Sequence, residues 1–251
     1  MSVPQQLRDF FEQYPTIALG FSGGVDSSYL LYAATACGVD IQPYFIQSQF
    51  QPEFELNDAK KLAHQLGVEL KIIRLDLSQY PEVLNNPADR CYHCKRLVFG
   101  RIIEQGLEDG HQIFIDGNNA SDDVTDRPGM KAVEELEVRS PLREAGLTKD
   151  EVRELSRQAG LFTWNKPSYA CLATRIPTGT EIKLNTLTQI EQAEDKLFRL
   201  GFSNYRIRVM GTTAKIQLPS DQMIKAIELR QTMVEELSGY FDDIVLDLKG
   251  R

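Results

Sequence analysis

The chain has 251 residues, 42% of them hydrophobic and 25% charged, with a formal net charge of −8. This is ordinary globular composition, long enough for one large domain or for a large and a small one, and it excludes the compositionally extreme classes. An acidic chain has no global field that draws in a phosphate backbone, so no nucleic-acid partner is expected, whereas a small anionic substrate can still be held by a locally basic pocket.

No apolar stretch approaches the ~20 residues that span a bilayer. Residues 1–6 offer neither the basic nor the apolar region of an export signal. The expectation is a cytoplasmic protein without a membrane partner. In a reducing compartment, Cys37, Cys91, Cys94 and Cys171 read as metal-binding, redox or nucleophilic thiols rather than disulfides. Cys37 lies in an Ala-rich helix and reads as a small buried thiol.

In chain order, Leu7–Tyr14 reads as a short amphipathic helix, and Thr16–Phe21 as an apolar strand that stops at Ser22-Gly-Gly-Val-Asp-Ser27. Ser28–Ala36 is an expected helix, Ile41–Ile46 a strand, Asn57–Leu66 a helix stopped by Gly67, and Glu69–Leu75 a strand. That β-α-β-α-β order implies a parallel sheet with helical crossovers. After an irregular loop, Asp76–Arg90, come a helix at Lys95–Gln105, a strand at Gln112–Asp116 and a polar segment, Gly117–Gly129. Lys149–Ala159 is an expected helix with Thr148 and Glu151 as a capping box.

Trp164–Thr180 reads as linker and functional loop. Helix Asn185–Leu200, strands Asn204–Met210 and Ala214–Leu218 joined through Gly211-Thr-Thr213, helix Asp221–Ser238 and strand Phe241–Leu248 complete the chain. The expected fold class is α/β: a parallel-sheet nucleotide domain over residues 1–177 and a small α+β domain over 178–251.

The glycine loop has neither the Walker spacing nor Gly-x-Gly-x-x-Gly. Ser22, Gly23 and Gly24 let backbone N–H groups turn toward an anion at a helix start, and Ser27 adds a hydroxyl. The Asp26 carboxylate repels such an anion unless a divalent cation lies between them, which implies Mg2+. This string resembles the PP-loop of the ATP pyrophosphatase family, whose members cleave ATP to AMP and pyrophosphate and transiently adenylate a substrate oxygen. The resemblance implies that Ser22, Gly23, Gly24, Asp26 and Ser27 hold the leaving pyrophosphate.

Further motifs narrow the choice: Cys91-Tyr-His-Cys94-Lys95, Asp116-Gly-Asn-Asn119, Asp122-Asp123, Arg127-Pro-Gly129, Ser140-Pro-Leu142 and Pro167-Ser-Tyr-Ala-Cys171-Leu-Ala-Thr-Arg-Ile-Pro177. Together they resemble the LarE family over nearly the whole chain. That resemblance implies adenylation of a carboxylate on a pyridinium mononucleotide, its replacement by thiocarboxylate for the nickel-pincer cofactor of lactate racemase, and assembly as a homo-oligomer, a hexamer. Members with a lone cysteine at the position of Cys171 give up its own sulfur. Members with a Cys-x-x-Cys as well hold a [4Fe-4S] cluster, and Cys91, Cys94 and Cys171 resemble that ligand set. Three thiolates leave one iron open to a sulfide from an external donor. A zinc half-site, a redox dithiol, a zinc-stabilised nucleotide-binding regulator and a PP-loop tRNA thiolase stand as alternatives.

Lys95 is placed to serve the reacting centre, and Asn118, Asp122 and Arg127 follow a strand end, where α/β sites gather. Arg206 and Arg208 alternate on one strand face, from which two guanidiniums can clamp a phosphate. The resemblance assigns such arginines to the substrate phosphate; Glu194 is read as accompanying them, and Arg175, four residues past Cys171, as facing nucleotide or substrate. His93 reads as a loop imidazole and Trp164 as linker packing.

Overall fold

A computed structural model describes residues 3–122 and 128–251. The expected roles of Asp123 and Arg127 fall outside those residues. The chain forms two compact units, Met1–Asp76 with Asp89–Tyr169, and Leu77–Ala88 with Ala170–Arg251.

In the first unit, helix α1 (Gln5–Gln13) leads into strand β1 (Thr16–Gly20), helix α2 (Val25–Ala36), strand β2 (Asp40–Gln47), helix α3 (Glu53–Leu66) and strand β3 (Lys71–Arg74). A short helix α4 (Pro81–Leu84) belongs to the second unit. The first unit resumes with α5 (Arg90–Glu108), β4 (Phe114–Ile115), α6 (Pro128–Glu135), α7 (Pro141–Glu144) and α8 (Lys149–Gln158). The four strands are parallel in the order β3-β2-β1-β4. The expected parallel sheet is present, and Arg139 extends it by a single bridge to Ile115.

Helix α2 is buried almost all round, through Val25, Ser27, Ser28, Tyr29, Leu30, Leu31, Ala33 and Ala34, which is the pattern of a helix inside a core. Its neighbours there include Ile17 and Leu19 of β1, Phe45 of β2, Leu62 of α3 and Val152 of α8. Each fully buried side chain of this size contributes about 1.5–3 kcal/mol of transfer free energy. That core fixes the start of α2 against the end of β1. Cys37, expected in the core, is instead exposed at the C-cap of α2, about 18 Å along the helix from the glycine loop.

Several boundaries differ from the expected ones, α2 starting at Val25 rather than Ser28 and α3 at Glu53 rather than Asn57, and two of them change how the chain is organised. Helix α5 starts at Arg90, not Lys95, because the Asp89 carbonyl already accepts from Tyr92 N–H (2.8 Å) and His93 N–H (3.4 Å). The cysteine pair therefore lies in the first turn of a helix. The loop expected over Asp76–Arg90 contains α4 and, through Leu77–Ala88, joins the second unit. Asn86 is the reason. Its amide donates to the Pro177 (2.8 Å) and Thr180 (2.9 Å) carbonyls, its own carbonyl accepts from Gly179 N–H (2.8 Å), and Ile182 N–H reaches Leu84 O (2.7 Å). The second unit thus begins at Ala170 rather than at residue 178.

In that unit, α9 (Leu184–Arg199) packs Leu187, Ile190, Ala193 and Leu197 toward the buried side of a three-stranded sheet. The strands are β5 (Arg206–Met210), β6 (Thr213–Gln217) and, after helices α10 (Met223–Glu228) and α11 (Arg230–Leu237), β7 (Asp243–Leu246). β5 and β6 form the expected antiparallel hairpin, but its turn is Gly211-Thr212, since Thr213 already pairs with Met210. β7 lies parallel to β6. The single helix expected over Asp221–Ser238 is two, interrupted at Leu229 (φ −90°, ψ 9°).

Asn86 is fully buried, has a positive φ of 56° and makes two side-chain bonds to main-chain carbonyls. Asn86→Ala removes both bonds, leaves Pro177 O only its bond from Thr180 N–H (3.0 Å) and strains the backbone, so it should destabilise the second unit by about 2–4 kcal/mol. Urea unfolding followed by the circular dichroism of the whole chain checks this; a loss below about 0.5 kcal/mol would contradict the account.

Candidate functional site

In a sheet of order β3-β2-β1-β4, successive crossovers run one way from β1 and then return to place β4 on its other side. The carboxyl ends of β1 and β4 therefore frame the switch-point crevice where open α/β sheets bind ligands. The glycine loop leaves β1 at that point, and Asp116-Gly117 leaves β4 beside it.

Gly23 has φ +69°, a left-handed conformation that favours glycine, and a Cβ there would stand 3.3 Å from both Ala59 and the Glu55 carbonyl. Gly24 is the N-cap of α2, and the first helical bond runs from Ser28 N–H to its carbonyl (3.0 Å). The N–H groups of Val25, Asp26 and Ser27 are then first-turn donors that helix geometry itself does not satisfy, at the positive end of the dipole. Ser22 Oγ lies 3.1 Å from Ser27 Oγ and accepts from Gly24 N–H (3.4 Å). The structure thus brings together Ser22, Gly23, Gly24, Asp26 and Ser27 in a turn at a helix N-terminus, a geometry that suits an anion.

Gly117 closes the other side. A Cβ there would lie 2.9 Å from Ser27 N, so only glycine lets the β4 loop come this close to the start of α2. Asn118, one residue on, turns back to Asp116: its N–H donates to Oδ1 (3.0 Å) and its amide to Oδ2. Ser140 Oγ donates to Asp116 Oδ1 (2.7 Å). Burial pushes the Asp116 carboxyl above the usual carboxylate range, while the charge of Lys95 and the Ser140 and Asn118 bonds oppose that rise. Asp122 accepts from Asn119 N–H (3.0 Å), and Asn119 donates its amide to Asp26 Oδ1 (3.1 Å).

Cys91, Cys94 and Lys95 share one face of α5 by their three- and four-residue spacing. Gly129 makes room for the Lys95 stem, since a Cβ there would be 3.0 Å from Lys95 Cδ. His93 is on the helix rather than in a loop, with Nε2 3.2 Å from Asp89 Oδ2. Cys91 and Cys94 belong to the first unit and Cys171 to the second. Among the described residues, no group of three His, Cys, Asp or Glu is gathered as a metal site. Two of the thiols lie about one helical turn apart on α5 and the third precedes the 3-10 turn of the second unit, a donor set of the type that ligates iron as thiolates.

In the second unit, Cys171 precedes a one-turn 3-10 helix, Leu172–Arg175, and its carbonyl accepts from Thr174 Oγ1 (2.9 Å). Arg175 is fully buried. Its guanidinium donates as a fork to Glu194 (2.8 and 3.0 Å) and to the Ala170 carbonyl (2.6 Å). Glu194 Oε1 also accepts from Ile207 N–H (3.0 Å). This pair ties the Cys171 turn to α9 and β5.

Arg206 and Arg208 share the sheet face away from α9, as expected from their alternation. Arg208 donates to Gln217 Oε1 (2.7 Å) and the Thr174 carbonyl (3.0 Å). Arg206 Nε is buried without a hydrogen-bond partner among the described residues. Burial first, and then the charges of Arg251, Arg175 and Arg208, lower its hold on its proton. Arg206 thus stands among other guanidiniums with one buried donor nitrogen unpartnered among the described residues, while Arg175 and Arg208 are partnered within the unit.

Two lysines at the glycine loop escaped the sequence reading. Lys149 Nζ contacts Asp26 Oδ2, and Lys166 Nζ contacts Asp58 Oδ2 (2.7 Å) and the Gly23 carbonyl (3.3 Å). One signal was available for Lys149: it is the first residue of α8, where the helix dipole opposes a cation.

No family model matches the chain. It is 33% identical to an uncharacterized protein of Synechocystis sp. over 98% of this chain and 93% of that protein. It is 27% identical over 60% of its length to the tRNA-specific 2-thiouridylase MnmA of Pseudothermotoga lettingae, covering 53% of that enzyme. It is 30% identical to the pyridinium-3,5-bisthiocarboxylic acid mononucleotide synthase of Lactiplantibacillus plantarum, over 93% of this chain and 86% of that enzyme. With that identity over almost the whole of both chains, and a phosphate loop at the switch point of a parallel sheet, the chain belongs to the pyridinium-3,5-bisthiocarboxylic acid mononucleotide synthase family, the LarE family of the PP-loop group.

Proposed function

We propose that this chain is an ATP-dependent, AMP- and pyrophosphate-forming sulfurtransferase that converts a carboxylate of a pyridinium dicarboxylate mononucleotide to a thiocarboxylate, for the nickel-pincer cofactor. The observation that carries the adenylation half is the Ser22–Ser27 turn on the N-terminus of α2, beside the end of β4. The name of the Lactiplantibacillus plantarum relative supports the substrate class and the sulfur chemistry.

Hard oxygen donors fit Mg2+: Asp26, with the Ser22 and Ser27 hydroxyls on the same turn, would hold the ion, which would supply charge neutralisation at the phosphates. The loop and helix N–H groups bind the leaving pyrophosphate. A substrate carboxylate oxygen attacks the α-phosphorus, the bridging P–O bond to pyrophosphate breaks, and an acyl adenylate forms. Lys95 sits close enough to influence Asp116 and supplies positive charge at the reacting phosphate. Sulfur then attacks the acyl carbon as the C–O bond to AMP breaks. Arg206 and Arg208 take the substrate phosphate, while Arg175 and Glu194 hold the Cys171 turn in place.

For the sulfur source, the reading is that Cys91, Cys94 and Cys171 ligate a [4Fe-4S] cluster, which supplies an open iron for a sulfide from an external donor. A second reading keeps Cys171 as the direct donor, ending as dehydroalanine. The anchoring of its carbonyl by Thr174 favours that alternative, because the main chain stays in place when the side chain is lost. The oligomer is read as a hexamer in the cytoplasm. Exposed Phe198, Ile224, Ile227 and Leu248 of the second unit support self-association.

Substrate-dependent exchange of radiolabelled pyrophosphate into ATP measures adenylation directly. Asp26→Asn should lower it by about a hundredfold or more. Exchange stimulated by tRNA instead of the pyridinium mononucleotide would identify a tRNA thiolase. Protein purified without oxygen should carry about four iron atoms per chain, lost in Cys91→Ala and in Cys171→Ser. Iron-free protein that completes one turnover, with a mass loss of one H2S at Cys171, would establish the sacrificial route instead.

A further inference from the structure

Lys149 and Lys166 flank the Ser22–Ser27 turn without belonging to it, and α8 places both. Lys149 opens the helix. That start is locked by the Thr148–Glu151 capping box, by Lys149 N–H donating to Ser121 Oγ (3.0 Å) and by Ala120 N–H donating to the Leu147 carbonyl (2.8 Å). One turn on, Arg153 donates to the carbonyls of Trp164 (2.9 Å) and Lys166 (2.8 Å), which fixes the segment carrying the second lysine. The Lys166 side chain is only 13% exposed, where most lysines reach into solvent, and its ammonium also lies 5.3 Å from the Phe54 ring centroid.

Stability alone is a weak reason for this arrangement. Partly exposed ion pairs contribute little, and a lysine at the first position of a helix works against the dipole. Both ammoniums instead converge on the turn that carries α2's first-turn N–H donors, one at Asp26 and one at the Gly23 carbonyl. Each is held there by a single carboxylate contact that a more highly charged oxyanion outcompetes.

We infer that Lys149 and Lys166 bind the β- and γ-phosphates of ATP, Lys149 passing from Asp26 to a phosphate oxygen as a divalent cation takes the Asp26 carboxylate. The inference rests on the proposed ATP site and assigns its triphosphate-binding cations. It separates two functions of the nucleotide pocket: these lysines read the triphosphate tail and make no distinction among nucleosides or monophosphates.

The test is calorimetric titration of the full-length protein with Mg-ATP and, separately, AMP, for the wild type and for Lys149→Met, Lys166→Met and Lys149→Arg. Each methionine variant should bind Mg-ATP about tenfold to a hundredfold more weakly while AMP affinity changes by less than about twofold. Lys149→Arg should recover most of the loss. Equal losses for ATP and AMP would show that the lysines merely build the loop, and unchanged ATP affinity would also overturn the inference. If Lys149→Met fails to fold, Lys149→Gln carries the same comparison. A wild type that binds neither nucleotide would sink the ATP reading itself, an outcome distinct from a variant that binds ATP normally.

Discussion

The first unit depends on one close approach: the main chain at Gly117 passes so near Ser27 that a Cβ would come within 2.9 Å of its backbone nitrogen. Because of it, the loop after β4 lies directly against the first turn of α2, and three groups of side chains share a small space. Asp116 is buried by the approach, and Asn118 and Ser140 satisfy it. Asn119 comes within reach of Asp26. Ser121, at the end of the same loop, meets the start of α8, which delivers Lys149. The switch point of a parallel sheet makes a crevice in general. The missing side chain at Gly117 is what lets the loop after β4 and the start of α2 come this close together in the crevice.

Much of this was legible in sequence where information is local. The strand-turn-helix at residues 16–36, the parallel order of the first strands, the Thr148–Glu151 capping box and the β5–β6 hairpin all follow from periodicity and turn chemistry within short windows. What escaped was non-local. Lys149 looks like a surface lysine in an amphipathic helix until the packing of α8 against α2 brings Asp26 to it. Leu77–Ala88 looks like a loop of the first unit because its partners, Pro177 and Thr180, lie some ninety positions away. The early start of α5 was hidden because a Cys-x-x-Cys motif suggests a metal-binding loop, whereas here the Asp89 carbonyl begins the helical bonds ahead of it. Glu194 was legible as part of the arginine group, but not as the acceptor that holds the Arg175 fork and a β5 amide together.

The two units handle negative charge by opposite means. At the glycine loop each lysine is matched by a carboxylate, so the resting charge is nearly balanced, and the helix N-terminus supplies the remaining attraction. Such a site favours a ligand that arrives with its own cation, because the cation releases the carboxylate and frees the ammonium at once. In the second unit burial, and then the charges of Arg251, Arg175 and Arg208, depress Arg206, and a buried guanidinium nitrogen goes unpartnered among the described residues. Burial first and then repulsion among guanidiniums disfavour the Arg206 charge, the Glu194 carboxylate offsets part of that, and a bound anion would offset more without any metal. The proposed metal-bearing triphosphate and bare monophosphate would place these two different demands on a protein, and the carboxylate-paired lysines and the crowded arginines differ in the same sense.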